Sequence, residues 1–486
     1  MSSNRFWREP DPKNGKPGGW LPIFYLWHLE QIGVIERGNG PIDKSIEYEP
    51  GEGYGWPYWP DELPYSTVAI IDSGCTTRHP NLPASAIRHG VDMALMPVGG
   101  VYSKDDADDI REERRKGKWR LDQILKSLDV PADALALQEI ADELADRLPD
   151  HVQTEDPANN FAGHGTACAG LVAGRLTDGG KERPTVLPYY GVNPFATIIP
   201  IATPYSHEIR PIIAALMHAV MVEADVILMP RAVNDLVLDQ QRDDGTPDGK
   251  PGAWKPPALH DLRATRIDSD ATLKNDKQLF VALLQAVAAW RPVVLAAGNE
   301  GRAVPTYPAS LAHQKQNPLT DAIIVGAVNA DGVPSSYSNG TPQTGVTVYA
   351  PSDDEERIDQ TNGDPLALFD LAGRDAAWIA QQPFVRPAEN TYLPYAVLAI
   401  DAPGRTLPDA TPQQVVPMRA LYSSFGGTSA ASSIVAGALS LAQAKRKQAG
   451  LGVLSGTEMQ KCLVDSLKGQ AVPVLNIATL LEQVLA

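Results

Sequence analysis

Residues 423–441 read SSFGGTSAASSIVAGALSL. Two glycines and Thr428 precede Ser429, and a long run of small and apolar residues follows. Paired glycines permit a sharp backbone turn, and the run behind them predicts a buried helix over 429–445. A serine at its start has its own N–H unpaired and feels the positive end of the helix. Taken alone, a serine at such a place is more commonly an N-cap.

Upstream, strand and helix signals alternate, which predicts a parallel sheet covered by helices on both faces. The strands are expected at 67–71, 197–201, 225–229, 293–297 and 322–328. Helical patterns are expected at 207–223 and 278–290. Three stretches interrupt the rhythm and read as insertions: 103–157, 233–275 and 352–418. The first opens with the charge run SKDDADDIREERRKGKWR and continues at helical spacing, so it reads as a helical excursion. The second is rich in Asp, Gly and Pro and reads as a long loop, and the third is mixed and Pro-rich.

Three more segments place chemical groups where this architecture offers a site. VAIIDSG (68–74) ends an apolar strand in Asp72, and ligands of open α/β sheets sit outside the carboxyl ends of the strands. A turn or cap aspartate is the alternative. FAGHGTACAGLVAG (161–174) sets His164 between glycines at the start of a small-residue helix; alone, such a histidine is more often structural or exposed. Cys168, four residues on, falls on the same helix face. PVVLAAGNEG (292–301) delivers Asn299 from a buried strand. Its amide is a neutral donor suited to an oxyanion, or it is a turn asparagine.

In this order the four segments resemble the signatures of the subtilase (subtilisin-like) serine peptidase family: DSG around Asp72, GHGTxCAG around His164, AAGNEG around Asn299 and GTSAA around Ser429. WHLEQIGV (27–34), HPNL (79–82), GVNPFATIIPIA (191–202), ADVILMP (224–230) and IIVGAVNADGVPSSYSN (323–339) resemble the segments between them. The resemblance spans most of 27–445 apart from the insertions. It implies an α/β fold, a subtilisin-like parallel sheet with helices on both faces. It also implies one catalytic domain, 27–486, behind an N-terminal extension, 1–26. The activity implied is a serine endopeptidase working through an acyl-enzyme, with Asp72, His164 and Ser429 as its triad and Asn299 in the oxyanion hole. Met229, Pro230, Arg231, Ala232, Ala297 and Gly298 are the implied substrate-binding residues. Family members with a cysteine at the position of Cys168 are sensitive to mercurials, which implies the same here.

The chain also departs from the pattern. Ser433 stands where the family usually has proline, and a free N–H inside a helix is harmless. The substrate-pairing strand usually continues Ser-Leu-Gly-Gly; here Pro230, Arg231, Ala232 and Val233 follow Met229. Side chains in place of glycines predict a narrower pocket and a selective enzyme. Few residues precede 27, which leads to the expectation of regulation by a protein partner or by an insertion rather than by a long propeptide. His164 and Asn299 speak against the related class with a glutamate base, and the four intact positions against an inactive scaffold. Ser429 is not in a Gly-x-Ser-x-Gly elbow, which argues against an α/β-hydrolase esterase.

The net charge of −17 argues against nucleic acid and against electrostatic docking on an anionic membrane. The expected partner is a polypeptide substrate. Three cysteines are no disulfide framework, and neither a signal peptide nor a membrane-spanning run is visible. A cytoplasmic setting is therefore expected. No cofactor and no metal ligand set is assigned; structural calcium, which some family members bind, is left open.

Overall fold

The computed structural model describes residues 7–8, 19–20, 26–37, 54–55, 66–76, 79–88, 90–93, 163–175, 186, 189–203, 209–233, 271–313, 319–330, 332–352, 397–402 and 421–486. The insertion expected at 103–157, and most of those at 233–275 and 352–418, lie outside the described residues.

Seven strands form the central sheet: β1 Thr67–Asp72, β2 Val91–Asp92, β3 Thr197–Ala202, β4 Val226–Met229, β5 Val293–Ala296, β6 Ile323–Val328 and β7 Val348–Pro351. All pairings are parallel and the order is β7-β6-β5-β4-β1-β3-β2. From β1 the chain goes to the edge at β2, returns inward at β3, crosses β1 to β4 and then runs outward to β7, so its direction changes about β1. That switch point is where open α/β sheets leave a crevice. Register keeps the crevice level: Ile70 pairs with Leu228, and Met229 with Leu295.

β1 shows why the sheet is buried on both sides. Successive side chains of a strand point to opposite faces. Val68 and Ile70 join one core cluster, while Ala69 and Ile71 join the other. The first cluster lies under α1 Trp27–Gln31, α2 Gly163–Ala173 and α5 Gly427–Gln448. The second lies under α3 Arg210–Met221 and α4 Ala271–Trp290. Asp72 continues the alternation onto the α2 and α5 side.

Two elements close the fold at its C-terminal end. α6 Gly456–Ser466 starts at a capping box, Ser455 with Glu458, and α7 Ile477–Leu485 buries Ile477, Leu480, Leu481 and Val484. Between them the backbone of 473–475 bonds to Tyr349 of β7, through Tyr349 N to Pro473 O and Leu475 N to Tyr349 O. This covers the outer edge of the sheet, where unpaired backbone groups would otherwise recruit other chains.

The structure departs from the sequence reading in three places. α4 begins at Ala271, so the loop expected to reach Asn275 ends earlier. Residues 271–277, ATLKNDK, mix good helix formers (Ala271, Leu273, Lys274, Lys277) with poorer ones (Thr272, Asn275, Asp276). They are carried by the apolar segment behind them, because extending an existing helix adds a bond per residue. A strand pair, β8 Leu398–Ile400 with β9 Tyr422–Ser424, is antiparallel; β8 lies inside the stretch read as an insertion. Leu398 and Ile400 are core residues, so that stretch returns to the domain before 418. β2, β7, α6 and α7 were not expected. β7 ends in proline and follows a turn-rich segment, which masked its four residues.

Candidate active site

Asp72 ends β1 at the switch point and is fully buried. One carboxylate oxygen, Oδ1, accepts the Ser73 N–H (2.7 Å) and the Ser73 hydroxyl (3.0 Å). The other, Oδ2, lies 2.8 Å from His164 Nδ1. The Ser73 oxygen also accepts the Gly165 N–H at 3.2 Å, so the turn after β1 grips the first turn of α2. Gly165 makes that approach feasible: a Cβ there would stand 2.0 Å from Gly74 O.

Two opposing effects act on this pair. Burial favours the neutral carboxyl, but the His164 charge and the bonds from His164 and Ser73 outweigh it and hold Asp72 below the usual carboxylate range. For His164, burial disfavours the imidazolium, and the Asp72 charge and hydrogen bond, aided by Cys168, outweigh it. The imidazole is raised above the ordinary histidine range. Against a charged carboxylate, Nδ1 carries the proton and Nε2 keeps its lone pair when the ring is neutral. The Phe425 ring stands edge-on to the imidazole at 5.1 Å. Cys168 Sγ lies 3.9 Å from Nδ1 on the inner side; burial pushes this thiol up against the pull of His164.

Ser429 stands in the first turn of α5 and is 8% exposed. Its hydroxyl donates to Pro230 O at 2.9 Å rather than to His164. Its own carbonyl accepts the hydroxyls of Ser432 (3.0 Å) and Ser433 (2.8 Å). The residue that replaces the family's proline thus adds a donor to the helix start.

Asn299 follows β5 and is exposed. Its Oδ1 accepts both the Thr428 N–H (2.8 Å) and the Thr428 hydroxyl (2.9 Å). The Thr428 oxygen in turn accepts the Gly298 N–H at 3.0 Å. With its oxygen fixed, the amide presents its NH2 group away from Thr428. It passes over Gly427, whose φ of +75° suits glycine and where a Cβ would meet Asn299 Nδ2 at 2.8 Å.

The expected substrate-binding residues divide by position. Met229 and Ala297 are fully buried in the second core cluster. Gly298 is half-buried and Ala232 exposed. Pro230 offers the carbonyl that Ser429 occupies. Arg231 is half-buried, and its Nη1 donates to Thr203 Oγ1 (2.8 Å) and to Thr203 O (3.3 Å). Thr203 N donates to Asp72 O at 2.8 Å, so Arg231 ties the substrate-side segment to the end of β3 beside Asp72. Sequence reading gave Ser73, Thr203 and Phe425 no part in the site, and gave Thr428 no role. Ser73 and Thr428 adjoin Asp72 and Ser429 in the quoted motifs, and their hydroxyls were the available signal; Thr203 and Phe425 left none.

The chain belongs to the subtilase family, whose model matches residues 65–478, and is a serine endopeptidase. No curated protein matches it. Similar solved structures include the nisin leader peptidase NisP from Lactococcus lactis, at 16% identity and a TM-score of 0.47, covering 94% of each chain. Another is the epidermin leader peptide processing serine protease EpiP from Staphylococcus aureus, at 13% identity and 0.45, covering 94% of this chain and 80% of that one. A cold adapted subtilisin-like serine proteinase aligns at 14% identity and 0.44, covering 93% of this chain and 97% of that one. Among the described residues no helix is long and apolar enough to cross a membrane.

Proposed function

We propose that this endopeptidase works through an acyl-enzyme on Ser429. In that reading the Ser429 hydroxyl leaves Pro230 O, turns to His164 Nε2 and attacks the scissile carbonyl as His164 takes its proton. Asp72 keeps the proton on Nδ1 and stabilises the imidazolium. The Asn299 amide and the Ser429 N–H at the start of α5 bind the oxyanion. His164 then protonates the leaving amine, and water repeats the sequence to release the acyl group. The observation that carries the reading is the 2.8 Å bond from a buried carboxylate to His164 Nδ1.

The enzyme is selective in this proposal, because Pro230 lacks a backbone donor, and Arg231 and Ala232 carry side chains in the stretch where the family has its glycines, whereas Val233 is buried in the second core cluster. It is also regulated, either by a protein partner or by the 233–275 insertion that follows this segment. Its setting is cytoplasmic. The test is labelling by a fluorophosphonate probe together with a peptide-library cleavage profile. Labelling and cleavage are expected in the wild-type chain and lost in Ser429→Ala and His164→Ala. Undiminished cleavage in either variant would refute the triad.

A further inference from the structure

The carboxyl ends of three neighbouring strands meet at the switch point, in the order β4, β1, β3. Register holds them level: Ile70 of β1 pairs with Leu228 on one side and with Pro200 on the other. Arg231 and Thr203 each lie three residues beyond those partners, so they stand at one level on either side of β1. Two strand spacings, about 10 Å, separate their backbones, a span for a long side chain. Arg231 crosses it: its Nη1 donates to Thr203 Oγ1 (2.8 Å) and to Thr203 O (3.3 Å). Thr203 in turn donates to Asp72 O, from its N–H at 2.8 Å and from its hydroxyl at 3.3 Å.

We propose that this strap makes Arg231 a positioning residue that sets the resting state of the nucleophile. It fixes the Pro230 carbonyl where that carbonyl holds the Ser429 hydroxyl away from His164. The proposal rests on Ser429 being the nucleophile and His164 its base.

The coupling runs through one peptide plane. The Pro230 carbonyl and the Arg231 N–H belong to the same rigid unit, and the Pro230 ring fixes its own φ. The plane can then turn only about Pro230 ψ and Arg231 φ, and the strap restrains both by holding the Arg231 side chain. Two residues on, the chain is anchored again: Val233 is buried and its N–H donates to Tyr307 O at 3.0 Å. Of the three residues between Met229 and Val233, Arg231 alone has side-chain hydrogen-bond donors. The plane so held offers its oxygen to Ser429 Oγ at 2.9 Å. A hydroxyl has one proton to donate, so a serine that donates to Pro230 O does not donate to His164 Nε2. Attack on a substrate requires that the first bond be exchanged for the second.

Loosening the strap therefore has two opposite effects. The plane turns more freely, the Ser429–Pro230 bond weakens, and the hydroxyl is released to His164. The substrate-side segment is less ordered at the same time, so a peptide binds it less well. Removing a residue that merely stabilised the fold would slow both processes.

The test compares full-length wild-type with Arg231→Ala, Arg231→Lys and Thr203→Val. Two quantities are measured: the second-order rate of labelling by a small fluorophosphonate, and kcat and KM on a peptide amide. The small probe needs the nucleophile and little of the cleft. A neutral hydrogen bond is worth a factor of about 2 to 13. Labelling of Arg231→Ala should speed up within that range while KM for the peptide rises. Arg231→Lys keeps a charged donor without the planar fork, and Thr203→Val keeps the carbonyl acceptor, so both should fall between Arg231→Ala and wild-type. Adding Thr203→Val to Arg231→Ala should change labelling by less than about twofold, because the strap is already gone. Labelling of Arg231→Ala that is unchanged or slower would overturn the strap; if that variant does not fold, the same result in Thr203→Val does so. Labelling that persists in Ser429→Ala would sink the catalytic reading and the strap with it, a failure distinct from a strap that does not respond.

Discussion

Replacing Thr428 by valine keeps the shape of the side chain and removes one hydroxyl. That hydroxyl donates to Asn299 Oδ1 at 2.9 Å, while the Thr428 N–H, at 2.8 Å, would remain. Asn299 would keep one of its two restraints. A neutral hydrogen bond contributes about 0.5–1.5 kcal/mol net. If that is lost from the alignment of the oxyanion donor, kcat falls about 2- to 13-fold with KM little changed. Removing the donor itself, in Asn299→Ala, should cost ~100–1,000-fold in kcat. Steady-state kinetics on a chromogenic peptide amide separate the two. The decisive measurement is the double variant, in which Thr428→Val should cost less than about twofold, because the group it aligns is gone. A full loss repeated in the Asn299→Ala background would show that Thr428 acts on the reaction directly, and the positioning argument would fail. The half-buried Gly298 N–H also loses its acceptor, so the urea midpoint should fall by the equivalent of ~1 kcal/mol.

Three further outcomes are expected. Asp72 raises the His164 imidazole, so protonated, inactive enzyme persists to higher pH. The acid limb of kcat/KM should therefore lie above ~6.5, the unperturbed histidine value; a limb below that value, or an optimum near pH 4, would contradict this. In Asp72→Asn the limb should move down, since the carboxylate charge that offsets burial is gone and only the smaller contribution of Cys168 remains against it. An organomercurial should inhibit the wild-type enzyme through the thiol under His164, and Cys168→Ala should be resistant; a variant still sensitive would place the reactive thiol elsewhere. Gly165→Ala sets a methyl against the Gly74 carbonyl, a backbone atom that has little room to move aside. It should cost about 1–3 kcal/mol in denaturant unfolding and part Asp72 from His164, and an unchanged midpoint with normal kcat would refute the grip between β1 and α2.

Much of this was legible in the residues. The strands around Asp72 and Asn299 announced themselves because parallel strands buried on both faces are short unbroken apolar runs. Ser429 and His164 were marked by glycines that the backbone needs at close approaches. The supporting contacts were harder to read. That Thr428 reaches Asn299, or Arg231 reaches Thr203, depends on the strand order, and one sequence does not state which strands are neighbours. β8 was hidden for another reason: three residues in a Pro-rich setting carry too little periodicity to rise above their surroundings. The Pro230 carbonyl as the partner of Ser429 lay beyond reach as well, since a backbone acceptor leaves no trace in residue identity.

The bonds between 473–475 and Tyr349, with α7 packed on the core that also holds α5, set an order on the birth of the molecule. The helix bearing Ser429 emerges from the ribosome well before the segment that seals β7 and the helix that buries its flank. Until those last residues are free, the sheet has an open edge and α5 lacks part of its support. A nascent chain, or one shortened before 473, therefore leaves the backbone groups of the β7 edge open to pairing with other chains.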